Sequence, residues 1–229
     1  LSEKTQSILK KWIVEMAVGM KKFTKDHPQG IRIKSISEFK EYCYFVAGTV
    51  GYLLTDLWKE YGVLISEKKY KKLSKQAGIF GEGLQSINIL KDISWDMYKE
   101  NAHYLPEDEL KNVGLSHVSD FNAANNTKRD QVLSKLIKIA TENLQTSLEY
   151  ITSIPIVNMR IRFFCILPLL LAFATLREIK RAKSLFQPDT FVKISRKEVK
   201  HIYKHSIISC LSNTYLKRFA TKCLADGLV

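Results

Sequence analysis

Leu84-Gln-Ser-Ile-Asn-Ile-Leu-Lys-Asp-Ile-Ser-Trp-Asp96 combines helically spaced apolar residues with a regular series of oxygen-bearing side chains. Gln85, Asn88, Asp92 and Asp96 stand at offsets of 0, 3, 7 and 11. On an α-helix these offsets fall within an arc of about 80°, so the four side chains form one polar stripe roughly 16 Å long. Carboxylates one turn apart can hold Mg²⁺, which is readily shared with phosphate oxygens. The stripe therefore predicts a diphosphate held through magnesium, and a solvated helix face is the alternative.

The composition indicates one domain covering residues 1–229, because 45% of the chain is hydrophobic and can form a substantial core. The longest apolar run, Phe163 to Leu176, is too short to span a bilayer and predicts a core helix. The four cysteines lack metal-binding and redox spacing: Cys43, Cys165, Cys210 and Cys223. We expect buried, reduced thiols and a cytoplasmic protein.

The formal net charge of +13 is compatible with nucleic acid, an anionic membrane surface or an anionic small substrate. The densest cluster, Lys68 to Lys75, lacks the interleaved aromatic residues and glycines of an RNA-binding module. We therefore expect no nucleic acid and no stable protein partner, and interpret the cluster as a solvated helix face. Peripheral membrane association and attraction of a diphosphate are the alternatives.

Apolar residues recur at helical spacing along most of the chain, which predicts an all-α fold. The predicted helices lie near residues 2–24, 36–61, 67–101, 127–153, 158–185 and 195–224. Glycine and proline stand at the intervening breaks, as expected for turns. Ser195 and Glu198 have the spacing of a capping box, which predicts a helix start.

A second motif, Tyr42 to Gly51, places small residues at positions 47, 48 and 51. Glycine inside a helix costs about 1 kcal/mol relative to alanine, so a close approach must compensate for it. Tight helix packing is the simple interpretation. The phenol of Tyr42, one to two turns earlier, is predicted to face a cavity.

Both motifs resemble the squalene/phytoene synthase family. Residues 42–57 match its tyrosine signature, Tyr-Cys-x-x-Val-Ala-Gly-Thr-Val-Gly-x-x-Leu-x-x-Leu, at every specified position. Its distal aspartate-rich signature is matched at Gly81, Gln85, Asn88, Ile89, Asp92, Ile93, Asp96, Tyr104 and Pro106. Segments 160–176 and 192–199 are similar to later parts of the family sequence, so the resemblance covers the chain nearly end to end.

The resemblance implies an isoprenoid-synthase-type helical bundle around a central cavity, and an enzyme that joins two prenyl diphosphates head to head. It implies that Asp92 and Asp96 bind Mg²⁺, while Gln85 and Asn88 complete the polar stripe beside the substrate diphosphate. Tyr42 is the implied catalytic residue, beside the reacting carbons, where its ring or hydroxyl assists carbocation or proton handling.

The resemblance also implies an apolar tunnel for the prenyl tails, lined by Phe164, Cys165 and Pro168. Lys91 stands where the distal signature has arginine or glutamate, and it keeps a positive charge beside the substrate and metal.

Three departures from the family pattern qualify these expectations. Ala102 replaces an arginine, so one diphosphate contact is expected to be absent or supplied by Lys99 or His103. Phe80 replaces an aliphatic residue, which is a tolerable packing change. The family's proximal aspartate-rich motif lies upstream of the tyrosine signature, and the 41 residues before Tyr42 contain no Asp-x-x-x-Asp.

We therefore expect the carboxy-terminal part of a longer enzyme, truncated at its amino end, lacking the first helices of the bundle and inactive on its own. A diverged chain that has lost ionisation chemistry is the alternative.

The motifs favour squalene synthesis from two farnesyl diphosphates through presqualene diphosphate, with NADPH as reductant. Phytoene synthesis from two geranylgeranyl diphosphates, which needs no reductant, is the second hypothesis. A hypothesis of another class is a non-catalytic, basic helical protein that binds a membrane or an acidic partner.

Overall fold

A computed structural model describes residues 1–117, 120, 126–182, 185–188 and 190–225, and only the backbone at 126. Within these ranges the chain contains helices and no β-strand, which confirms the all-α prediction. The helices are α1 (Glu3–Asp26), α2 (Ile36–Cys43), a π-helical segment (Tyr44–Gly48), α3 (Thr49–Tyr61), α4 (Glu67–Lys99), α5 (Glu107–Asn112), α6 (Asn126–Ser153), α7 (Met159–Arg181), α8 (Arg196–Ser209) and α9 (Asn213–Ala225).

Serine side chains begin several of these helices. The predicted capping box is present, since the Ser195 hydroxyl accepts a hydrogen bond of 3.1 Å from the Glu198 amide. The predicted helix over 195–224 is wrong in one respect, because it is two helices. Ser212 interrupts it and accepts a hydrogen bond from the amide of Tyr215. The short helix α5 was also not predicted, because its six residues are too few to show a clear helical spacing of apolar side chains.

Helix α4 is the centre of the fold. It packs against α3, α6, α7 and the π-helical segment. Its buried residues include Ile89, Leu90 and Ile93, on the side of the helix away from the most exposed part of the polar stripe. The central position holds that stripe in a fixed orientation.

The small residues allow the π-helical segment and α3 to cross α4 at backbone contact. A Cβ added at Gly51 would lie 1.9 Å from the carbonyl oxygen of Ala77. A Cβ added at Gly81 would lie 1.9 Å from the carbonyl oxygen of Ala47. Tight packing therefore explains both glycines, and the crossing sets the distance between the two motifs.

Substituting Gly81→Ala is expected to destabilise the fold by about 1–3 kcal/mol, because two backbones must separate to admit the methyl group. Urea unfolding followed by circular dichroism measures the change. Gly48→Ala is the control, since its methyl group would meet side-chain atoms of Tyr44 at 3.1 Å and Glu82 at 3.3 Å, which can move. An equal loss in both variants would argue against the backbone crossing as the cause.

Helix α7 contains the long apolar run. By length and composition it is the one helix in the described part of the chain that could cross a membrane. However, 56% of its most apolar 18-residue stretch is buried within the fold. It packs against α4, α6, α8 and α9. This burial agrees with the prediction of a core helix.

All four cysteines are free and buried, as predicted. Burial raises the pKa of the Cys43, Cys165 and Cys223 thiols to about 12 in each case. These thiols are therefore protonated and unreactive at neutral pH.

Candidate functional site

The polar stripe lies on the accessible side of α4. Asn88 is exposed, and Gln85, Asp92 and Asp96 are half-buried. The stripe is thus neither fully solvated nor buried in the core. Lys91 forms an ion pair with the Asp92 carboxylate, so the predicted positive charge lies beside the stripe.

Asp96 has an unfavourable environment for its negative charge. Its pKa is raised to about 7, chiefly by burial and further by the negative charges of Asp92 and Glu100, while the positive charge of Lys91 opposes this shift. A bound cation would relieve this repulsion.

The raised pKa of Asp96 predicts a pH-dependent stability. Its pKa of about 7 in the folded protein lies above the ordinary aspartate value of 3.8, so the folded state is favoured most below pH 3.8, and this stability is lost as the pH rises through about 7. Without Mg²⁺, Asp96→Asn is therefore expected to raise the urea midpoint relative to wild type more at pH 8 than at pH 5. A variant that is less stable than wild type at pH 8 would contradict this electrostatic assignment.

The donor set fits Mg²⁺ shared with a substrate better than a metal held by protein alone. In the described ranges, no group of three or more histidine, cysteine, aspartate or glutamate side chains could hold a metal ion. Magnesium typically uses one or two carboxylates, with waters and substrate phosphates as the other ligands. Asp92 and Asp96 are carboxylates of that kind.

Tyr42 lies beside this site. Its hydroxyl is 2.9 Å from the hydroxyl of Tyr104, and the two ring centroids are 4.9 Å apart. Tyr104 and Asp96 line the same narrow crevice, of about 10 Å³. Burial raises the pKa of both tyrosines, and the nearby charges of Asp96 and Glu100 act in the same direction. Both phenols are therefore neutral at physiological pH.

The segment that carries Tyr104 is fastened to the loop between α1 and α2. The His103 amide donates to the Ile31 carbonyl at 2.8 Å, and the Ile33 amide donates to the His103 carbonyl at 3.1 Å. Arg32 also donates to the Asn101 carbonyl at 2.6 Å. The sequence match included Tyr104 but assigned it no role, since its partner is 62 residues away.

The departure at Ala102 is structurally simple. Ala102 is buried, and its amide donates to the Asp96 carbonyl at 2.8 Å. Of the two residues expected to replace the missing arginine, His103 lines the crevice with Asp96, whereas Lys99 is exposed and lines a different crevice beside Trp95. His103 is therefore the better placed of the two. Burial lowers the pKa of His103, so its imidazole is neutral at pH 7 and does not replace the positive charge of an arginine.

The predicted tunnel residues divide between two places. Phe164 and Pro168 line an apolar groove of about 550 Å³ between α7 and α8, and the Phe164 ring packs on Trp58 of α3 at 5.9 Å. Cys165 is completely buried and is not part of the groove lining. None of the three residues lines the Asp96 crevice. A tunnel that joins the groove to Tyr42 stays a prediction, as does the central cavity.

Comparison with known proteins supports the sequence resemblance. The Squalene/phytoene synthase family matches residues 1–198. A squalene synthase of Schizosaccharomyces pombe is 28% identical over 211 residues, which are 90% of this chain and 44% of that protein. The chain thus spans less than half the length of the curated relatives it matches.

Solved structures show the same fold. The complex structure of TcSQS with the ligand BPH1237 superposes with a TM-score of 0.77 at 20% identity, covering 98% of this chain and 69% of that one. A dehydrosqualene synthase in complex with ligand gives a TM-score of 0.66 at 22% identity, covering 91% and 65%. At these identities the likeness establishes architecture alone.

Proposed function

Because this chain belongs to the squalene/phytoene synthase family, we propose that it forms part of an enzyme that joins two prenyl diphosphates head to head. The observation that carries the proposal is the half-buried carboxylate pair of α4 with Tyr42 and Tyr104 beside it. We further propose that the substrates are two farnesyl diphosphates and that the product is squalene, formed through presqualene diphosphate.

The polar stripe binds the diphosphate end of one substrate. Asp92 and Asp96 would hold Mg²⁺, and Gln85 and Asn88 contribute neutral hydrogen-bonding groups along the same helix face. When bound, Mg²⁺ supplies positive charge that stabilises the departing diphosphate. Lys91 contributes a positive charge at the edge of the stripe, where it pairs with Asp92. The site thus concentrates positive charge where the leaving group develops negative charge.

Tyr42 acts at the carbon skeleton. Its neutral ring presents an electron-rich face, which attracts a carbocation, and its hydroxyl can donate or accept a proton. Phe164 and Pro168 provide an apolar surface for a prenyl tail, in the groove between α7 and α8. Cys165 supports that helix from the core side. Exclusion of water from such surfaces protects a cationic intermediate.

The need for a reductant distinguishes the two candidate products, squalene and phytoene. Squalene formation from presqualene diphosphate needs a hydride, which NADPH supplies, whereas phytoene formation needs no reductant. The names of the curated relatives favour squalene. The chain contains no Gly-x-Gly-x-x-Gly, so a nicotinamide cofactor would be bound without a Rossmann motif.

The net charge of +13 also favours contact with anionic surfaces. We propose that the protein is cytoplasmic and lies peripherally on a membrane, which suits a water-insoluble product. This association can be measured separately from catalysis by sedimentation with anionic and neutral vesicles.

The test uses the natural protein that contains this chain. The purified protein is incubated with farnesyl diphosphate or geranylgeranyl diphosphate, with and without NADPH, in Mg²⁺ or in EDTA. We expect squalene only with farnesyl diphosphate, NADPH and Mg²⁺, and presqualene diphosphate when NADPH is omitted. Formation of phytoene from geranylgeranyl diphosphate would instead support the hypothesis of a phytoene synthase. No condensation with either substrate, together with Mg²⁺-independent vesicle binding, would favour the non-catalytic binding protein.

A further inference from the structure

The Tyr42 side chain is held by three contacts with two neighbouring residues. Phe23 packs edge-on against the ring, with centroids 5.2 Å apart and planes at 81°. Tyr104 packs on another side with the planes tilted by 43°. The hydroxyls of Tyr42 and Tyr104 are joined by a hydrogen bond of 2.9 Å. With only 7% of its surface exposed, Tyr42 has little freedom to change rotamer.

The Tyr104 side is rigid because its own backbone is anchored. His103, its neighbour, exchanges backbone hydrogen bonds with Ile31 and Ile33. On its other side, Leu105 is 2% exposed and belongs to the core. The Tyr104 hydroxyl therefore forms a fixed point against which the Tyr42 hydroxyl is oriented.

A pair of neutral hydroxyls can exchange the donor role by rotation of their two hydrogens. When Tyr104 donates, the proton of Tyr42 is free to point at a bound substrate oxygen. When Tyr42 donates, a lone pair of its oxygen is free to face a cation or accept a proton. Neither arrangement requires movement of a ring or a change in net charge.

We propose that Tyr104 is a positioning residue for Tyr42, whose hydroxyl fixes the direction of the Tyr42 hydroxyl and lets it serve as either donor or acceptor. This inference rests on the proposed function. The inference extends the proposed function by assigning Tyr104 a role that acts through Tyr42 and not through contact with the substrate.

The substitution Tyr104→Phe tests the hydrogen bond alone, because phenylalanine keeps the ring contact. In the natural protein we expect kcat to fall about tenfold while KM and the melting temperature stay close to wild type. Tyr98→Phe is the matched control. It removes a hydroxyl that donates to the Phe186 carbonyl at 3.2 Å, from a half-exposed tyrosine of the same helix as the polar stripe, and should leave kcat unchanged.

A double-mutant cycle distinguishes positioning from direct catalysis. If Tyr104 acts through Tyr42, adding Tyr104→Phe to Tyr42→Phe should cause no further loss of kcat. A further tenfold loss in the Tyr42→Phe background would overturn the inference, as would an unchanged kcat in Tyr104→Phe alone. Failure of the wild-type protein to condense either prenyl diphosphate would instead overturn the proposed function, and the positioning role with it.

Discussion

Replacing both Asp92 and Asp96 with asparagine is expected to lower kcat/KM for the prenyl diphosphate by about 10³-fold, which corresponds to about 4 kcal/mol of transition-state stabilisation. Asparagine keeps the size and shape of aspartate but removes the negative charge that would hold Mg²⁺. The loss should therefore appear at saturating Mg²⁺, and higher Mg²⁺ concentrations should restore little activity. Initial rates measured across a Mg²⁺ series give the result.

Two measurements distinguish this loss of activity from misfolding. The raised pKa of Asp96 implies that removing its charge relieves repulsion, so the double variant should unfold at a urea concentration no lower than wild type at pH 8. Asp26→Asn is the control for loss of an exposed carboxylate, as Asp26 is exposed at the end of α1. If the double variant turned over substrate at the wild-type rate, the polar stripe would not be the diphosphate site.

Arg162→Ala is expected to be the most destabilising single substitution, at about 3–5 kcal/mol. Arg162 is completely buried, and among the described residues no carboxylate lies within hydrogen-bonding distance of it. Its guanidinium donates to carbonyls at the ends of α6 and α8 and to the Asn213 side chain: Ile151 at 3.0 Å, Ile154 at 2.9 Å, Cys210 at 3.0 Å, Ser209 at 3.4 Å and Asn213 at 2.7 Å.

The helix ends explain why a buried cation is tolerated here. Carbonyls at a helix carboxyl end carry partial negative charge and have no partner within the helix. One planar guanidinium serves two such ends at once, which joins α6, α7 and α8. Burial lowers the pKa of Arg162, but the ordinary pKa of arginine lies so far above neutral pH that the guanidinium keeps its proton.

The measurement is urea unfolding of the Arg162 variants. Arg162→Lys retains the charge but lacks the planar fork, so we expect an intermediate loss and a folded protein for comparison if the alanine variant does not fold. Arg160→Ala, two residues away on the same helix and exposed, should change stability by less than about 0.5 kcal/mol. Similar stability of the Arg160 and Arg162 alanine variants would refute the role assigned to the buried guanidinium.

The long helices were predictable because amphipathic periodicity is local and repeats over many turns. The errors occur where that signal is short. Helix α5 has six residues, and the break between α8 and α9 depends on one capping serine, Ser212, inside a continuous helical pattern. A serine cap of this kind contributes about 1 kcal/mol, which is too little to decide between a break and a continuous helix. Tertiary packing therefore decides whether the helix is interrupted at Ser212.

The site shows the same division. Spacing along α4 sufficed to place Gln85, Asn88, Asp92 and Asp96 on one helix face, because helix geometry alone relates residues 3, 7 and 11 positions apart. It also sufficed to identify the small residues that permit a close helix crossing. The contact of Tyr42 with Tyr104, the raised pKa of Asp96 and the separation of Cys165 from Phe164 and Pro168 depend on packing between distant segments. Local periodicity records which face of a helix is apolar, whereas burial, electrostatic neighbours and hydroxyl partners arise only when several faces meet.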